Sequence, residues 1–461
     1  MERPMSFLKN RSLNVSLEEV SLLTDLYQLT MAACYVGESL DQCPASFELF
    51  ARRLPKHFGY LVAMGLEQAL EYLENLQFTS EHIEALQATG IFAQAPEQFW
   101  QVLARARFTG SVWAVPEGTV VFANEPLLRI EAPLWQAQLV ETYLLTTLNY
   151  QTLIATRAAR LREVAGPAAI LLEFGTRRAF SPQASMWAAR AAIAAGMNAT
   201  SNVLAALKLG EKPSGTMAHS LVMALEALEG SEQQAFTAFH RYFPHATLLI
   251  DTYDVVAAAQ KLAERIQQEG LELGGVRLDS GDLVELSQKV RSLLPGVPIF
   301  ASGDLDEFEI LRLQAAGATI DGYGIGTKLV TGDPVNGVYK LVEINGIPTM
   351  KESSGKATYP GRKQIFRHLQ DGQWAGDILG LADEPMTSAN HLQPLMQCVM
   401  QAGKRLYSPE PLSTIRDRTT RTVAQLPPTV RAVQDPMAIA PHLSAALQML
   451  TEETRARLKR E

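Results

Sequence analysis

Polar and charged residues follow five short apolar segments in the central part of the chain. The segments AAILLEF, ATLLID, GVRLD, VPIFAS and TIDGYGI are each typical of a strand that is buried on both faces. The residues that follow them lie at 175–178, 251–254, 277–282, 302–304 and 324–328, and they include Arg, Asp, Ser, Thr and Gly. Guanidinium groups and glycine-rich turns bind phosphates, and carboxylates bind sugar hydroxyls and metal ions. Because ligands bind at the carboxyl ends of parallel strands, the five loops together predict one ligand site.

Each of these loops also has a purely structural interpretation. Ser280 or Asp282 could cap a helix that begins at Leu283. Asp304 could in the same way cap a helix that begins at Leu305. At any one strand end this interpretation is as good as a ligand role. It does not account for polar residues at all five strand ends, so we favour a shared site.

Two of the loops have the composition of a phosphate-binding turn. The segments 302–304 (SGD) and 324–327 (GIGT) place glycines before a predicted helix, where free N–H groups and the helix dipole attract anions. Neither is a Walker A loop, because GxxxxGK[ST] does not occur in the chain. They follow the last two strands of the region, which is where barrel enzymes often bind phosphate.

One of the eight histidines stands apart from the others in its sequence context. His219 follows PSGTMA and begins an apolar helical segment, whereas most of the others lie in polar segments. Periodicity alone favours a packed residue at the start of a helix. The functional alternative is a nucleophile or an acid/base group that a carboxylate orients, and Asp251 at a neighbouring strand end is the candidate.

The elements that would position these groups fall into three parts, which we place at 1–165, 166–330 and 331–461. The first part mixes strand patterns at 45–51 and 111–130 with helical patterns at 22–36, 61–76, 80–88 and 134–164. In the second part the apolar strands alternate with helical segments at 183–195, 218–229, 255–268, 283–294 and 305–316. That alternation predicts a parallel sheet covered on both faces, as a barrel or a doubly wound sheet.

The third part returns to strands. Asn345-Gly346 between two strand patterns predicts a hairpin. We expect 408–441 to be ordered but irregular, because it is rich in proline and charge, and 444–460 to be a terminal helix.

Composition and charge restrict the class of protein. The chain has 461 residues, of which 47% are hydrophobic, and this is enough for two or three globular domains. The net charge is -8 and no basic block occurs, so no nucleic-acid partner is expected. The three cysteines, Cys34, Cys43 and Cys398, have no metal-ligand spacing and are expected to be free thiols. We see no signal peptide in 1–16 and no membrane span, so we expect a cytoplasmic protein.

A set of segments resembles, in order, the nicotinate phosphoribosyltransferase family. They are LLTDLYQLTM (22–31), EFGTRRAFSPQASMWAARAA (173–192), NATSNV (198–203), GTMAHS (215–220), DTYDV (251–255), VRLDSGDL (276–283) and SGDLDE (302–307), followed by GIGTKLVTG and VYKLVEINGIPTMKES. The resemblance implies an irregular TIM-like α/β barrel with an open-faced α+β sandwich domain built from N-terminal and post-barrel strands. It implies that nicotinate and phosphoribosyl pyrophosphate give nicotinate mononucleotide and pyrophosphate, for NAD biosynthesis. It also implies Mg²⁺ and the hydrolysis of ATP through a phosphohistidine.

The resemblance assigns chemical roles to three residues. His219 matches the histidine that ATP phosphorylates, and Asp251 would orient its ring. Asp279 would contact ribose or Mg²⁺.

The resemblance also assigns the substrate contacts. Tyr27 and Phe174 would sandwich the pyridine ring, with Tyr27 supplied by the partner subunit of a homodimer with shared active sites. Arg277 would face the nicotinate carboxylate, and Thr216 would also contact nicotinate. The residues that would hold phosphate are Arg177, Gly303, Gly324, Gly326 and Thr327.

Two alternative functions share these features. Nicotinamide phosphoribosyltransferase places an acidic residue where this chain has Ser201, and a carboxylate there would repel nicotinate. Ser201 therefore favours the acid as substrate. A non-catalytic barrel that binds pyridine nucleotides would be expected to lose His219, Asp251 or Arg277, and all three are present. The long archaeal relatives have a cysteine-rich zinc segment, which is not expected here, and quinolinate phosphoribosyltransferase is shorter and lacks the reactive histidine.

Overall fold

The chain combines one parallel sheet with several antiparallel sheets in a computed structural model that describes residues 13–353, 356–385 and 392–459. Most of the segment in which we see no signal peptide lies outside the described residues. The elements of the first part are a 3-10 turn at Val20–Leu22, α1 (Leu26–Gly37), β1 (Pro44–Ala51), β2 (Leu61–Val62), α2 (Leu66–Glu74), α3 (Ser80–Ala88), α4 (Glu97–Ala104), β3 (Ser111–Ala114), β4 (Val120–Val121), β5 (Pro126–Pro133), α5 (Leu134–Leu139) and α6 (Glu141–Ala165).

The second part contains the alternating elements. They are β6 (Ile170–Glu173), α7 (Pro182–Ala194), β7 (Ala199–Thr200), α8 (Val203–Leu209), α9 (His219–Glu229), α10 (Glu232–Tyr242), β8 (Leu248–Leu249), α11 (Val255–Glu269), β9 (Val276–Leu278), α12 (Leu283–Leu293), β10 (Ile299–Ala301), α13 (Glu307–Ala315), β11 (Gly322–Ile325) and α14 (Thr327–Val330).

The third part is mostly strands, followed by helices. Its elements are β12 (Gly337–Ile344), β13 (Ile347–Pro348), β14 (Glu352–Ser353), β15 (Lys356–Ala357), β16 (Lys363–Gln370), β17 (Gln373–Leu381), β18 (Leu392–Pro394), β19 (Gln397–Gln401), β20 (Lys404–Arg405), α15 (Leu412–Ala424), α16 (Pro428–Arg431), β21 (His442–Leu443) and α17 (Ala445–Leu458).

The parallel sheet has the strand order β7-β6-β11-β10-β9-β8. Read in chain order, the strands follow one another around a circle, and the last strand, β11, pairs with the first, β6. The strand order leaves one place in that circle, between β7 and β8, without a ladder among the described residues. This is the topology of an α/β barrel with one open seam. The seam coincides with the long connection that carries α8, α9 and α10.

A seven-stranded antiparallel sheet joins the two ends of the chain. Its order is β13-β12-β1-β5-β3-β19-β20, so three strands from before the barrel lie in the centre and strands from after the barrel flank them on both sides. The predicted sandwich domain from N-terminal and post-barrel strands is therefore confirmed. The predicted hairpin is also present, since β12 pairs with β13 across Asn345 (φ 50°) and Gly346 (φ 74°). Both turn residues have the positive φ that a type I′ turn requires.

Several stretches differ from the sequence prediction, including α4, which was not predicted. The helix predicted over 61–76 begins at Leu66, and the residues before it form β2, a two-residue strand too short to alternate visibly. The sequence prediction did not include β7, α8 or α10, because the strand has two residues and the helices follow irregular loops. The segment predicted to be irregular, 408–441, contains α15 and α16. Ile415 and Val423 of α15 are buried in the same hydrophobic cluster as the barrel strands, so this helix covers the barrel.

Candidate active site

A cavity of about 700 Å³ lies at the carboxyl ends of the parallel strands. It contains most of the residues that the sequence predicted for a ligand site. The predicted residues that line it are Phe174, Arg177, Ser201, Thr216, His219, Arg277, Asp279, Gly303, Gly324, Gly326 and Thr327. The volume is within the range of sites for small molecules and cofactors. Of the remaining two predicted residues, Asp251 lies behind His219, and Tyr27 lies on α1 in the other part of the molecule.

Phe174 forms an aromatic wall of the cavity. Its N–H donates to the carbonyl of Ile325 at 2.8 Å, which fixes the residue beside β11. The ring lies against Gly324, where an added Cβ would come within 2.5 Å of two ring carbons. A glycine is therefore needed at this position for the ring to lie where it does. The guanidinium carbon of Arg277 is 5.9 Å from the centroid of the same ring, so a flat apolar face and a cation stand side by side.

Arg277 has an unused hydrogen-bond donor. Its Nη2 donates to the carbonyl of Met217 at 3.2 Å, but its Nε is buried and has no partner within the described parts of the chain. Burial lowers the pKa of this guanidinium from its ordinary value, although arginine stays protonated in proteins. A buried donor without an acceptor is costly, so the group is suited to receive an anionic ligand.

Two further arginines lie at the rim of the cavity. Arg177 and Arg178 are exposed, both line the cavity, and neither side chain makes a hydrogen bond or ion pair to another described residue. The sequence assigned a ligand role to Arg177 alone. Arg178 is one of the site residues that it missed, and the doubled arginine after Gly175-Thr176 is the signal that would have identified it. Cations beside an aromatic wall can bind the carboxylate and phosphate groups of a phosphorylated aromatic acid.

His219 begins α9 and faces the cavity with 40% of its side chain exposed. Its Nε2 is 3.9 Å from Oδ1 of Asp251, and its Nδ1 is 3.2 Å from the hydroxyl of Thr252. The histidine and the carboxylate that were predicted to pair are therefore close to each other but not hydrogen-bonded. Thr252 is a second neighbour of the ring that the sequence did not predict.

Asp251 is fixed from behind by the next strand end. Its Oδ2 accepts hydrogen bonds from the N–H of Asp279 at 2.9 Å and from the hydroxyl of Ser280 at 2.6 Å. Ser280 therefore supports the carboxylate, and the helix cap predicted at either Ser280 or Asp282 is Asp282. Asp279 in turn accepts from the hydroxyl of Ser302 at its Oδ1. One hydrogen-bonded chain thus connects the ends of three successive strands.

The glycine-rich turns approach other backbone closely. Gly303 has a φ of 94°, and an added Cβ would lie 2.3 Å from the carbonyl oxygen of Asp279. Gly326 precedes α14 and stands beside Thr327 at the cavity wall. The cap predicted for Asp304 was wrong, because Asp306 accepts from the first N–H groups of α13. Asp304 instead adopts a φ of 49° and lines the cavity.

One buried carboxylate, which the sequence analysis did not single out, links the ends of β6 and β7. Glu173 is fully buried, and it accepts from the N–H of Gly175 at 2.5 Å and from the hydroxyl of Thr200. Burial raises its pKa, and these two hydrogen bonds act in the opposite direction. The N–H of Ser201 donates to the Glu173 carbonyl at 2.9 Å. These hydrogen bonds fix the position of Ser201 relative to Phe174, which follows Glu173 in the chain.

Tyr27 is not part of this cavity in the single chain. It lies on α1 with 47% of its surface exposed, and its hydroxyl donates to Glu141 at 3.3 Å. Leu23 and Leu26 beside it are also exposed. A second chain would have to bring this tyrosine to the cavity.

The fold and the cavity define an α/β-barrel protein with a site for an anionic aromatic compound and phosphate groups. Family models match in the same order: the nicotinate phosphoribosyltransferase N-terminal domain over 22–149, the nicotinate phosphoribosyltransferase family over 170–297, and its C-terminal domain over 386–451. The chain belongs to the nicotinate phosphoribosyltransferase family.

Known relatives cover nearly the whole chain. The nicotinate phosphoribosyltransferase pncB2 of Mycobacterium tuberculosis is 40% identical over 93% of this chain and 94% of its own length. The nicotinate phosphoribosyltransferase of Bacillus subtilis is 44% identical over 82% of this chain and 79% of its own length. The crystal structure of human nicotinic acid phosphoribosyltransferase superposes with a TM-score of 0.81 at 30% identity, covering 94% of this chain and 99% of the human chain. Among the described residues, none of the helices combines the length and apolar character that a membrane crossing requires.

Proposed function

We propose that the protein joins nicotinate to the phosphoribosyl group of phosphoribosyl pyrophosphate and so forms nicotinate mononucleotide and pyrophosphate for NAD biosynthesis. One observation carries the proposal: the unpartnered Nε of Arg277 lies beside the face of Phe174. An aromatic acid can stack on Phe174 and place its carboxylate on the guanidinium. Family membership supports the same reaction.

The cavity suits the chemistry of this transfer. The pyridine nitrogen forms a bond to the anomeric carbon of ribose while the bond from that carbon to pyrophosphate breaks. The transition state resembles an oxocarbenium ion, so the protein must align both partners and bind the departing charge. Phe174 and Arg277 would hold the base, and Arg177, Arg178 and the loops at Gly303 and 324–327 would bind phosphates.

ATP is the proposed co-substrate, and His219 is the proposed acceptor of its terminal phosphoryl group. The imidazole is exposed to the cavity and lies near a carboxylate that is 1% exposed. A carboxylate in that position stabilises the positive charge that the ring gains when one of its nitrogens is phosphorylated. A phosphorylated ring at the cavity edge would place additional negative charge near the pyrophosphate site.

Mg²⁺ is the proposed metal, and Asp279 is the residue that would hold it. No group of three or more metal-binding side chains occurs in the part of the chain that the structure describes. This fits Mg²⁺, which is commonly bound by one or two carboxylates together with substrate phosphates. Asp279 lines the cavity beside Gly303, where pyrophosphate oxygens could complete the coordination. When bound, the ion would neutralise charge on the leaving group.

A homodimer with shared active sites is also part of the proposal. Three cations lie in the region of Tyr27 and Glu141: Arg52, Lys340 and Lys351. Within the described residues their side chains have no ion pair, and Nε of Arg52 is buried without a hydrogen-bond partner. Tyr27 and these cations would complete the base and phosphate contacts of the neighbouring subunit's cavity.

The exposed apolar residues fit an assembly of this kind. Leu23 and Leu26 are exposed close to Tyr27 in the chain, and on α8 Val203 lines the cavity while Leu204 and Leu207 are exposed. Apolar patches on both faces would be buried together in a dimer.

The cytoplasmic location stays a prediction.

The first test is pyrophosphate release by the purified protein with phosphoribosyl pyrophosphate and Mg²⁺. Nicotinate and nicotinamide are compared, each with and without ATP. We expect release with nicotinate, increased by ATP. Release with nicotinamide alone would overturn the substrate assignment and retain the reaction. Release with neither base would favour a barrel that binds pyridine nucleotides without catalysis.

A variant separates the ATP reaction from the transfer. His219→Ala is expected to abolish ATP hydrolysis and to leave slow transfer to nicotinate, because the base and phosphate contacts remain. Equal loss of both reactions would contradict separate roles for His219 and the base pocket.

A further inference from the structure

His219 lies between two side chains that follow β8, and the two contacts are unequal. Its Nδ1 is 3.2 Å from the hydroxyl of Thr252, which is a hydrogen-bond distance. Its Nε2 is 3.9 Å from Oδ1 of Asp251, which is too long for a hydrogen bond. The ring is therefore bonded to Thr252 and only adjacent to Asp251.

Asp251 has one carboxylate oxygen in need of a donor. Its side chain is 1% exposed, and its Oδ1 makes no hydrogen bond to any described residue. The other oxygen is occupied by the N–H of Asp279 and the hydroxyl of Ser280. Because an unsatisfied buried acceptor is costly, Oδ1 favours a movement of Nε2–H toward it by about 1 Å.

The same arrangement determines the state of Nδ1. A carboxylate oxygen facing Nε2 favours the neutral tautomer that carries its hydrogen on Nε2. Nδ1 then carries the lone pair, and the hydroxyl of Thr252 donates to it. That lone pair is the electron pair that would attack phosphorus. In this conformation Thr252 covers it.

We propose that Thr252 is a positioning residue that holds His219 in a resting position with Nδ1 covered, and that the ring becomes reactive when it moves off Thr252 and onto Asp251. This inference rests on the proposed phosphorylation of His219. In the reactive position Nδ1 forms a bond to the γ-phosphorus of ATP, the bond from that phosphorus to the bridging oxygen breaks, and ADP leaves with its electron pair. The hydrogen stays on Nε2, and the carboxylate of Asp251 balances the positive charge of the ring. The half-exposed side chain has room for this movement.

The experiment compares two substitutions at position 252. Thr252→Val keeps the shape of the side chain and removes the hydroxyl, and Thr252→Ser restores a hydroxyl. The first measurement is the rate of phosphohistidine formation in a single turnover with ATP and Mg²⁺ and without nicotinate. Loss of one neutral hydrogen bond predicts a rate roughly three- to tenfold higher in the valine variant, and the serine variant should return toward the original rate. Thr420→Val, on the exposed side of α15, is the control for a threonine far from the site.

The second measurement is the ¹⁵N spectrum of the His219 ring, which reports the hydrogen bond at Nδ1 and the hydrogen at Nε2, whereas the rise in rate and its reversal by serine are what a merely structural role of Thr252 would not produce. Nδ1 is expected to lose its hydrogen bond in the valine variant while Nε2 keeps its hydrogen. A valine variant that forms phosphohistidine at or below the original rate would overturn the proposal. If the unmodified protein forms no phosphohistidine, the ATP proposal fails by itself. The position of the ring is then decided by the spectra, and an Nδ1 signal that does not respond to Thr252→Val overturns it.

Discussion

The ring of Phe174 lies directly against Gly324, so that a methyl group on the glycine would come within 2.5 Å of two ring carbons. Phe174 follows β6 and Gly324 lies within β11, and these strands are hydrogen-bonded neighbours. The position of the aromatic wall is therefore set by the absence of a side chain on the next strand. The shape of this wall of the cavity depends on the glycine as much as on the phenylalanine.

Gly324→Ala is expected to displace the Phe174 ring and to raise the KM for nicotinate by roughly tenfold or more, since a base that stacks poorly loses an aromatic contact. The KM for phosphoribosyl pyrophosphate should change less. Steady-state kinetics with each substrate varied in turn checks this. Gly37→Ala, at the end of α1, where an added Cβ would meet only Pro96 at an ordinary contact distance of 3.8 Å, is the matched control and should leave both values unchanged. Equal effects on the two KM values would argue against a specific role for the ring.

The arginines of the cavity are expected to divide between the two substrates. Arg277→Gln should raise the KM for nicotinate roughly ten- to a hundredfold, because a hydrogen bond to a charged group is lost in a buried place. Arg178→Gln should instead raise the KM for phosphoribosyl pyrophosphate, because Arg178 lies at the exposed rim. The two variants control for each other, and the same kinetic pattern in both would contradict the division.

A carboxylate at position 201 is expected to change the choice of base. Ser201→Asp places a negative charge beside the pocket for the nicotinate carboxylate and offers an acceptor for an amide. The kcat/KM for nicotinate should fall roughly tenfold or more, and that for nicotinamide should rise. Ser201→Asn has a similar size without the charge and tests whether bulk alone is responsible. If kcat/KM falls for both bases in both variants, the size of the side chain at position 201, and not its charge, determines the effect.

Shared active sites predict that two impaired variants restore the ATP-stimulated transfer of one another. In a mixed dimer of Tyr27→Ala and His219→Ala chains, one cavity keeps both residues and the other loses both. Equal mixing should recover about a quarter of the original activity, because half of the dimers are mixed and each has one complete site. Activity is measured after denaturation and refolding of the mixture. Each variant treated alone provides the baseline, and a mixture that stays at that baseline would contradict the shared site.

Glu125 is expected to make the stability of the protein depend on pH. Burial and the neighbouring Asp377 raise the pKa of Glu125 well above its usual value of 4.5. Above that usual value the unfolded chain gives up this proton while the folded chain keeps it. The contribution to stability is therefore complete at lower pH and is lost as the pH rises through the raised pKa of the folded protein.

Glu125→Gln keeps the shape and an acceptor for the N–H of Phe122, which now donates to Glu125 at 2.7 Å. The variant should match the original protein near pH 4.5 and gain stability relative to it at alkaline pH, by about 1 kcal/mol or more. Urea unfolding at several pH values measures this. Glu84→Gln on the exposed side of α3 is the control. A stability difference that does not vary with pH would contradict a protonated Glu125.

The sequence grouped the residues that line the cavity more accurately than it placed the elements around them. The residues at strand ends were recognisable because Arg277, Asp279 and Gly303 follow strongly apolar segments directly. The contact of Thr252 with His219 was not predictable, since it depends on how α9 is set against the end of β8. Glu173 was missed because a carboxylate at the end of a strand gives no sign of whether it faces the cavity or supports it from below.

The errors in the elements have a common physical cause. A strand of two residues, such as β2 or β7, is defined by the partner with which it pairs, and no periodicity can develop over such a length. The helical part of 408–441 was obscured by its prolines, of which Pro411, Pro427 and Pro428 lie at helix starts and none lies further inside a helix. The open seam between β7 and β8 depends on which strands pair, and a local pattern does not record that.

Because of the open seam between β7 and β8, some residues of the cavity are held by the sheet and others by the long connection. The parallel sheet holds four residues of the cavity: Phe174 after β6, Gly324 on β11, Ser302 after β10 and Arg277 on β9. These strands are hydrogen-bonded in that order, so the spacing between the residues is as stiff as the sheet. His219 lies in the long connection that spans the open seam, and it contacts the sheet through its side chain, which hydrogen-bonds to Thr252. The histidine can therefore shift without changing the spacing of the residues that the sheet holds. Under the proposed function, phosphorylation of His219 would therefore leave the spacing between Phe174 and Arg277 unchanged.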